Sequence, residues 1–225
     1  MNTLIELLKS LLFGIVGGVT EWLPISSTGH LILLNEWLPF RFTDNAELAA
    51  EFWQMFEVVI QLGAILAVVI LFWNRLWPFG SRKTSIEKKQ TWSLWLKVVI
   101  GCVPAGLVGV IGDKILEKIS GKSIDGWLYN AVVVAIALIV YGVAFILIEK
   151  LKKPDSERIH STAELDCRTA LLIGLFQMLS IIPGTSRSGS TILGAMLLGL
   201  SRTAAAEFSF FMAIPTMIGA SGIKA

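Results

Sequence analysis

The chain is short of charge, of cysteine and of histidine. Asp, Glu, Lys and Arg make up 16% of its 225 residues, against about 25% in an average soluble domain. That is too little polar surface to clothe a soluble fold of this size. The 19 Lys and Arg against 17 Asp and Glu give no basic excess. They fall in short segments between apolar runs, which excludes a nucleic-acid partner from the expectations. The two cysteines, Cys102 and Cys167, offer neither zinc spacing nor a disulfide framework. Both read as small buried hydrophobes. A cleavage site for a secretory signal is also missing. The apolar run Leu4 to Leu23 leads straight into a Pro/Ser/Gly motif, so the first helix is expected to stay.

What fills the sequence is apolar. Hydrophobic residues are 54% of the chain and its mean hydropathy is +0.71. A helix that crosses a bilayer needs about 20 mostly apolar residues. Three stretches meet this cleanly, from Phe52 to Trp73, Trp92 to Ile111 and Trp127 to Ile148, each flanked by Trp or charge as interfacial anchoring requires. A last apolar helix is expected from about Ala204 to Ile223. Two further regions, Leu4 to Leu34 and Ala170 to Leu200, are apolar but broken by polar residues, glycine and proline.

In lipid every backbone N–H and C=O has to be satisfied within the protein. Irregular backbone at membrane depth therefore lines a protein-enclosed or watery cavity. The two breaks predict two re-entrant helical hairpins whose tips meet in a polar pocket. They also read as copies. Gly14 to Gly29 is GIVGGVTEWLPISSTG and Gly174 to Gly189 is GLFQMLSIIPGTSRSG. Each is followed by an echo, Phe56 to Ile60 and Phe208 to Met212. The expected architecture is an all-α polytopic membrane protein, one transmembrane domain over 1–225. It is built as an inverted repeat of about 1–112 and 127–225.

Loop charge gives the orientation. The segments Arg75 to Gln90 and Glu149 to Ala163 carry most of the loop cations and are separated by two spans, so they share a side. The positive-inside rule makes that side cytoplasmic. Asn35 to Ala50, with Arg41 alone against Glu36, Asp44 and Glu47, is expected outside. Asp113 to Gly126 is expected there too, although it holds Lys114, Lys118 and Lys122.

Chemistry concentrates in the breaks. Glu21 to His30 places a carboxylate, three hydroxyls (Ser26, Ser27, Thr28) and an imidazole within ten residues. An ionisable group in an apolar segment is a functional candidate. The second break, Pro183 to Thr191, supplies one cation, Arg187, among hydroxyls and glycines. Arginine presents a planar fork of donors that matches phosphate oxygens. A cap of the following helix by Ser188 or Ser190 would add the helix N-terminus as an anion site. Arg187 also has a structural reading, as an ion-pair partner of Glu21 or Glu207.

Four motifs carry a resemblance over essentially the whole chain: GGVTEWLPISSTGH (17–30), FEVVIQLGAILAVV (56–69), PGTSRSGST (183–191) and SRTAAAEFSFFMAIP (201–215). In this order they resemble the undecaprenyl-diphosphate phosphatase family of the bacitracin-resistance type. The resemblance implies an integral enzyme of the bacterial inner membrane with its active site facing outside. It would remove the terminal phosphate of undecaprenyl pyrophosphate and so recycle the cell-wall lipid carrier. It implies catalytic Glu21, Ser27, His30 and Arg187. Ser26, Thr28, Ser186, Arg187, Ser188 and Thr191 would bind substrate, and Glu21 would take Mg2+ or Ca2+. The expected partners are the polyprenyl pyrophosphate lipid, the membrane and a second copy in a homodimer.

The chain departs from the family pattern at one motif position. Gly17 stands where the family has the first of two acidic residues four apart, one helical turn from Glu21. A carboxylate there would share a metal ion or divide acid and base work; either its loss impairs metal binding and activity, or Gln177 or Glu57 fills its place. Family members also usually continue for about another pair of helices beyond the position of Ala225. In the expected reaction Arg187 and a Glu21-bound cation clamp the pyrophosphate. Ser27 or a water attacks, with His30 as general base. A transporter or lipid flippase using the same broken helices is the second reading. A phosphatase with paired histidines fits poorly, since the only other histidine, His160, lies in a charged loop.

Overall fold

A computed structural model describes residues 3–43, 45–81, 83–121, 131–151, 157–182 and 184–224. The expected span start at Trp127, the loop cations Arg82, Lys122, Lys152 and Lys153, Asp44 and Pro183 of the second motif lie outside these. The described residues form helices and turns with one isolated bridge between Ile159 and Leu200. In chain order the α-helices are α1 (Thr3–Trp22), α2 (Ser27–Trp37), α3 (Ala46–Leu71), α4 (Trp73–Leu76), α5 (Ser85–Leu107), α6 (Asp113–Ser120), α7 (Ala131–Leu151), α8 (Cys167–Gln177), α9 (Arg187–Leu197) and α10 (Arg202–Lys224).

Five helical stretches among the described residues are long and apolar enough to cross a membrane: Thr3–Trp22, Glu47–Leu71, Ser85–Ser120, Val132–Leu151 and Arg202–Ala220. The protein is thus an all-α polytopic membrane protein. Its surface agrees. On α7, Val132, Ile136, Ile139 and Val143 are more than half exposed. Such a face suits a lipid surrounding, because a soluble monomer rarely exposes apolar patches beyond a few hundred Å².

Several helices run further than their apolar cores, because caps fix their starts. Asn45 accepts hydrogen bonds from the Glu47 and Leu48 amides and starts α3 at Ala46, six residues before Phe52. Thr84 and Glu87 form a capping box that starts α5 at Ser85. Lys88 and Lys89, expected in a loop, therefore lie on α5. Pro104 removes one backbone donor inside α5, and a π-helical turn, Val108–Gly112, follows before α6. The two cation-rich segments do come together. Arg75 pairs with Glu207 and donates to Thr162 Oγ1 at 3.1 Å. Lys97, 7% exposed, donates to the Ala163 carbonyl at 3.2 Å.

Both expected breaks are present. The first separates α1 from α2 at residues 23–26. The second separates α8 from α9 through a 3₁₀ turn, Met178–Ile181, and the residues that follow. α2, α8 and α9 have 11 residues each. At 1.5 Å per residue they reach about 16 Å, half the roughly 30 Å hydrocarbon core.

The main core lies where α5, α8, α9 and α10 meet, with Val98, Ile173, Ala195, Phe208, Phe211 and Met212 fully buried. Close approach depends on glycine, as small residues allow in membrane helix packing. A Cβ on Gly174 would collide with the Gly101 carbonyl oxygen, and one on Gly101 would lie 3.1 Å from the Ala170 carbonyl. Cys102 is part-buried here, with Sγ 3.4 Å from Thr216 Oγ1. Cys167 is exposed at the start of α8, contrary to the buried expectation. It opens the helix beside the N-cap Asp166, where a side chain faces out. A second cluster stacks Phe13 of α1 and Phe40 against Trp53 and Phe56 of α3, with ring centroids 5.1–6.5 Å apart.

The crossing of α5 and α8 is where a single methyl matters most. Gly174→Ala is expected to cost about 1–3 kcal/mol by overpacking against backbone. Gly106→Ala, where a Cβ meets nothing within 4 Å, is expected to leave the thermal unfolding midpoint in detergent unchanged. Equal midpoints for both variants would contradict this packing.

Candidate active site

The two breaks meet. Glu21 sits in the last turn of α1 and Arg187 is the first residue of α9. The Arg187 Nη2 donates to Glu21 Oε1 at 3.0 Å, with both side chains 12% exposed. Of the two carboxylates expected as partners, Arg187 takes Glu21. Glu207 pairs with Arg75, and Arg202 pairs with Glu149. The other arm of Arg187, Nη1, donates to the Ser209 carbonyl on α10 at 3.2 Å. Its Nε is buried with no hydrogen-bond partner among the described residues.

The second oxygen of Glu21 accepts a hydrogen bond from Ser27 Oγ. Ser27 opens α2, so the carboxylate is held between a guanidinium and a hydroxyl on two different helix N-termini. Apolar side chains wall it off. Trp22 and Phe210 lie 5.0 Å apart by ring centroid. With Ala64, Ile65 and Val68 of α3 they leave a cavity of only about 10 Å³ beside the pair. In such a low-dielectric wall, hydrogen bonds to charge are strong and unpaired charge is costly.

Capping is matched between the breaks. Ser26 Oγ accepts from the Gly29 amide at 3.4 Å and Ser186 Oγ from the Gly189 amide at 3.1 Å. Ser186 is thus the cap of α9. Ser188 and Ser190, expected in that role, lie inside the helix, because the extended φ/ψ needed for a cap falls at Ser186. Ser26 holds φ +64°, the one positive value at a non-glycine among the described residues. Strained backbone of this kind clusters at functional sites. In the second turn Gly184 takes the positive φ of +90°, and a Cβ there would lie 2.8 Å from the Val134 carbonyl of α7.

Hydroxyls tie the breaks together. Ser188 Oγ donates to the Leu23 carbonyl at 3.3 Å and lies 3.1 Å from Ser186 Oγ. Thr191 and Ser209 share a hydrogen bond of 2.6 Å, bringing α10 into the network. Thr28 is half-buried in the first turn of α2. His30 is exposed, and its Nδ1 lies 2.9 Å from the Ser26 carbonyl. The imidazole braces the first turn, while the hydroxyl of Ser27 turns to Glu21.

Two participants escape a sequence reading. Ser209 is one hydroxyl inside an apolar run, and Tyr141 is a lone phenol in α7 whose oxygen accepts from Ser190 Oγ at 3.1 Å. Their only signal is that of a polar atom in an otherwise apolar helix. The two residues considered for the absent acid differ in place. Glu57 is half-buried on α3. Gln177 is fully buried and donates to Thr216 Oγ1 at 3.2 Å. Gly17 itself is buried against α3. A Cβ there would lie 2.5 Å from Ile60 Cγ2 and 3.5 Å from Leu31.

Fold and site define a polytopic membrane protein with a carboxylate, a guanidinium and clustered hydroxyls at the junction of two broken helices. The chain belongs to the family described as Bacitracin resistance protein BacA, which matches residues 10–225. It is 51% identical over 222 residues to a protein of Enterococcus faecalis named Undecaprenyl-diphosphatase, covering 98% of this chain and 75% of that one. Proteins of the same name from Streptococcus thermophilus and Streptococcus pyogenes serotype M3 are 52% and 53% identical. They cover 99% of this chain and 72% and 75% of theirs.

The packing at Gly17 sets a clear expectation. Gly17→Glu alone overpacks α1 against Ile60 and is expected to lose about 1–3 kcal/mol. Combining it with Ile60→Ala is expected to recover most of that loss in thermal unfolding. A stable single variant would show that the Ile60 side chain yields its place.

Proposed function

We propose that this protein is an undecaprenyl-diphosphate phosphatase that releases the terminal phosphate of undecaprenyl pyrophosphate. One observation carries the reading beyond the names of its relatives. Glu21 is shared between Ser27 and Arg187, which puts a nucleophile, a proton acceptor and an anion clamp at one point. In the proposed reaction the guanidinium of Arg187 and the N-termini of α2 and α9 bind the pyrophosphate. Ser27 Oγ attacks the terminal phosphorus and its proton passes to Glu21. The bond from phosphorus to the bridging oxygen breaks, and undecaprenyl phosphate leaves. Water then hydrolyses the phosphoserine. Direct attack by water, with Glu21 as base, uses the same groups. The hydrogen bond of Ser27 to Glu21 favours Glu21 over His30 as base, and His30 is proposed to hold the turn.

The donor set suits a divalent cation that arrives on the substrate. Mg2+ is ordinarily held by one or two carboxylates together with substrate phosphates. Glu21, with Ser27 beside it, supplies one carboxylate. No cluster of three acidic, histidine or cysteine side chains exists among the described residues, so an all-protein Ca2+ cage is not proposed. When bound, the cation would neutralise charge on the transferred and leaving phosphates.

The short helices around each break are proposed as re-entrant hairpins of an inverted repeat. The cation-rich end would face the cytoplasm and the site the outside of the bacterial inner membrane.

Phosphate release from undecaprenyl pyrophosphate by the purified chain in detergent tests the reading. Release is expected with Mg2+ and is expected to vanish with EDTA. Ser27→Ala, Glu21→Gln and Arg187→Ala are each expected to lower kcat by about 10²-fold or more, and His30→Ala by less. Undiminished turnover by Ser27→Ala would remove the covalent route. Undiminished turnover by Arg187→Ala would remove the clamp.

A further inference from the structure

We infer that a second cavity, between the two helix breaks and α7, receives the first isoprene units of the polyprenyl chain, and that Gly142 keeps it open. This rests on the proposed pyrophosphate substrate. The cavity has a volume of about 360 Å³, within the range of small-molecule sites. One wall is α7, through Leu138, Tyr141, Gly142 and Phe145. Their spacing of three, four and seven residues places them on one helical face. The opposite wall is made by the two turns, including Ser26 and Ser186.

Those two serines fix what the cavity adjoins. Each immediately precedes a residue of the charged site, Ser27 and Arg187. An amphiphile whose pyrophosphate lies at that site meets this space with its first carbons. The wall is suited to carbon. Its polar side-chain atoms already have partners: Ser26 Oγ with Gly29, Ser186 Oγ with Gly189, and Tyr141 with Ser190. Ile25, Leu138 and Phe145 line it with carbon, so an isoprene gains apolar contact while these hydroxyls keep the bonds they already make. Leu138 is 37% exposed and Gly142 is exposed. The cavity therefore opens sideways along the lipid-facing α7, which gives a long chain a way into the bilayer while its head stays at Arg187.

Gly142 is the residue through which the cavity can be closed. Gly142 lines the cavity and a Cβ there meets nothing within 4 Å, so a larger side chain is accommodated without moving backbone. Gly142→Phe is expected to raise KM for undecaprenyl pyrophosphate by about tenfold or more, with kcat within about twofold. Its kcat/KM for ethyl pyrophosphate, which has no isoprene, is expected to stay at the parent value, and Gly142→Ala to behave as the parent on both. An unchanged KM for the long substrate overturns the inference, and so does an equal loss on both substrates. A polyprenyl pyrophosphate with a diazirine in its first isoprene separates this inference from the activity. Labelling of the 138–145 segment is expected whether or not the chain turns the substrate over. Labelling elsewhere, displacement by phosphatidylglycerol, or cross-linking of a photoreactive residue at position 142 to a second copy overturns it. Absence of phosphate release from either substrate by the parent overturns the phosphatase reading, and the labelling then decides the cavity separately.

Discussion

The pair of Glu21 and Arg187 is the constraint on which the site depends. Either charge alone would be expensive inside an apolar wall, and removing one partner of such a pair leaves the other uncompensated. The two residues lie 166 positions apart, so satisfying them fixes the end of α1 against the start of α9. The remaining valences then organise the surroundings. The second oxygen of Glu21 orients Ser27, and the second arm of Arg187 reaches the Ser209 carbonyl on α10. The same contacts that make the charges tolerable bring the reactive groups together.

Broken helices set the second condition. Ending a helix inside an apolar region exposes backbone groups that lipid cannot satisfy. Ser26 and Ser186 each answer one amide with a side-chain oxygen, and Ser188 answers a carbonyl of the other break at Leu23. The junction also receives the partial positive charge of two helix N-termini, those of α2 and α9. An anionic head group is the natural partner for what is left, and Arg187 adds the full charge.

Much of this was legible in the chain. Apolar length reveals spans because the bilayer sets a minimum, and Pro with clustered Ser and Gly marks the breaks because those residues stop helices. Span boundaries were less legible. Asn45 and Thr84 cap α3 and α5 well before their apolar cores begin, and caps are polar residues that resemble loop. The site motifs were visible, but the partners within them were not. Arg187 had two carboxylates available, Ser188 and Ser190 looked as able to cap as Ser186, and His30 looked nearer in role to Ser27 than Glu21 did. Backbone conformation picks Ser186 as the cap, and the other two are settled by contacts between separate helices. Ser209 and Tyr141 were hidden because a single hydroxyl in an apolar helix bonds its own backbone as readily as a distant partner.

By itself, the sequence determined a helical chain for lipid with two interrupted segments rich in groups that bind phosphate. Those conclusions depend on composition and local spacing, which the bilayer reads directly. Only the tertiary structure decided that the interruptions meet, that Glu21 lies between Ser27 and Arg187, and that a cavity opens beside them along α7. It also decided the surroundings of Gly17, where a Cβ would require Ile60 of α3 to shift. These are contacts between segments distant in sequence, and their energies depend on burial and distance, which no local pattern encodes.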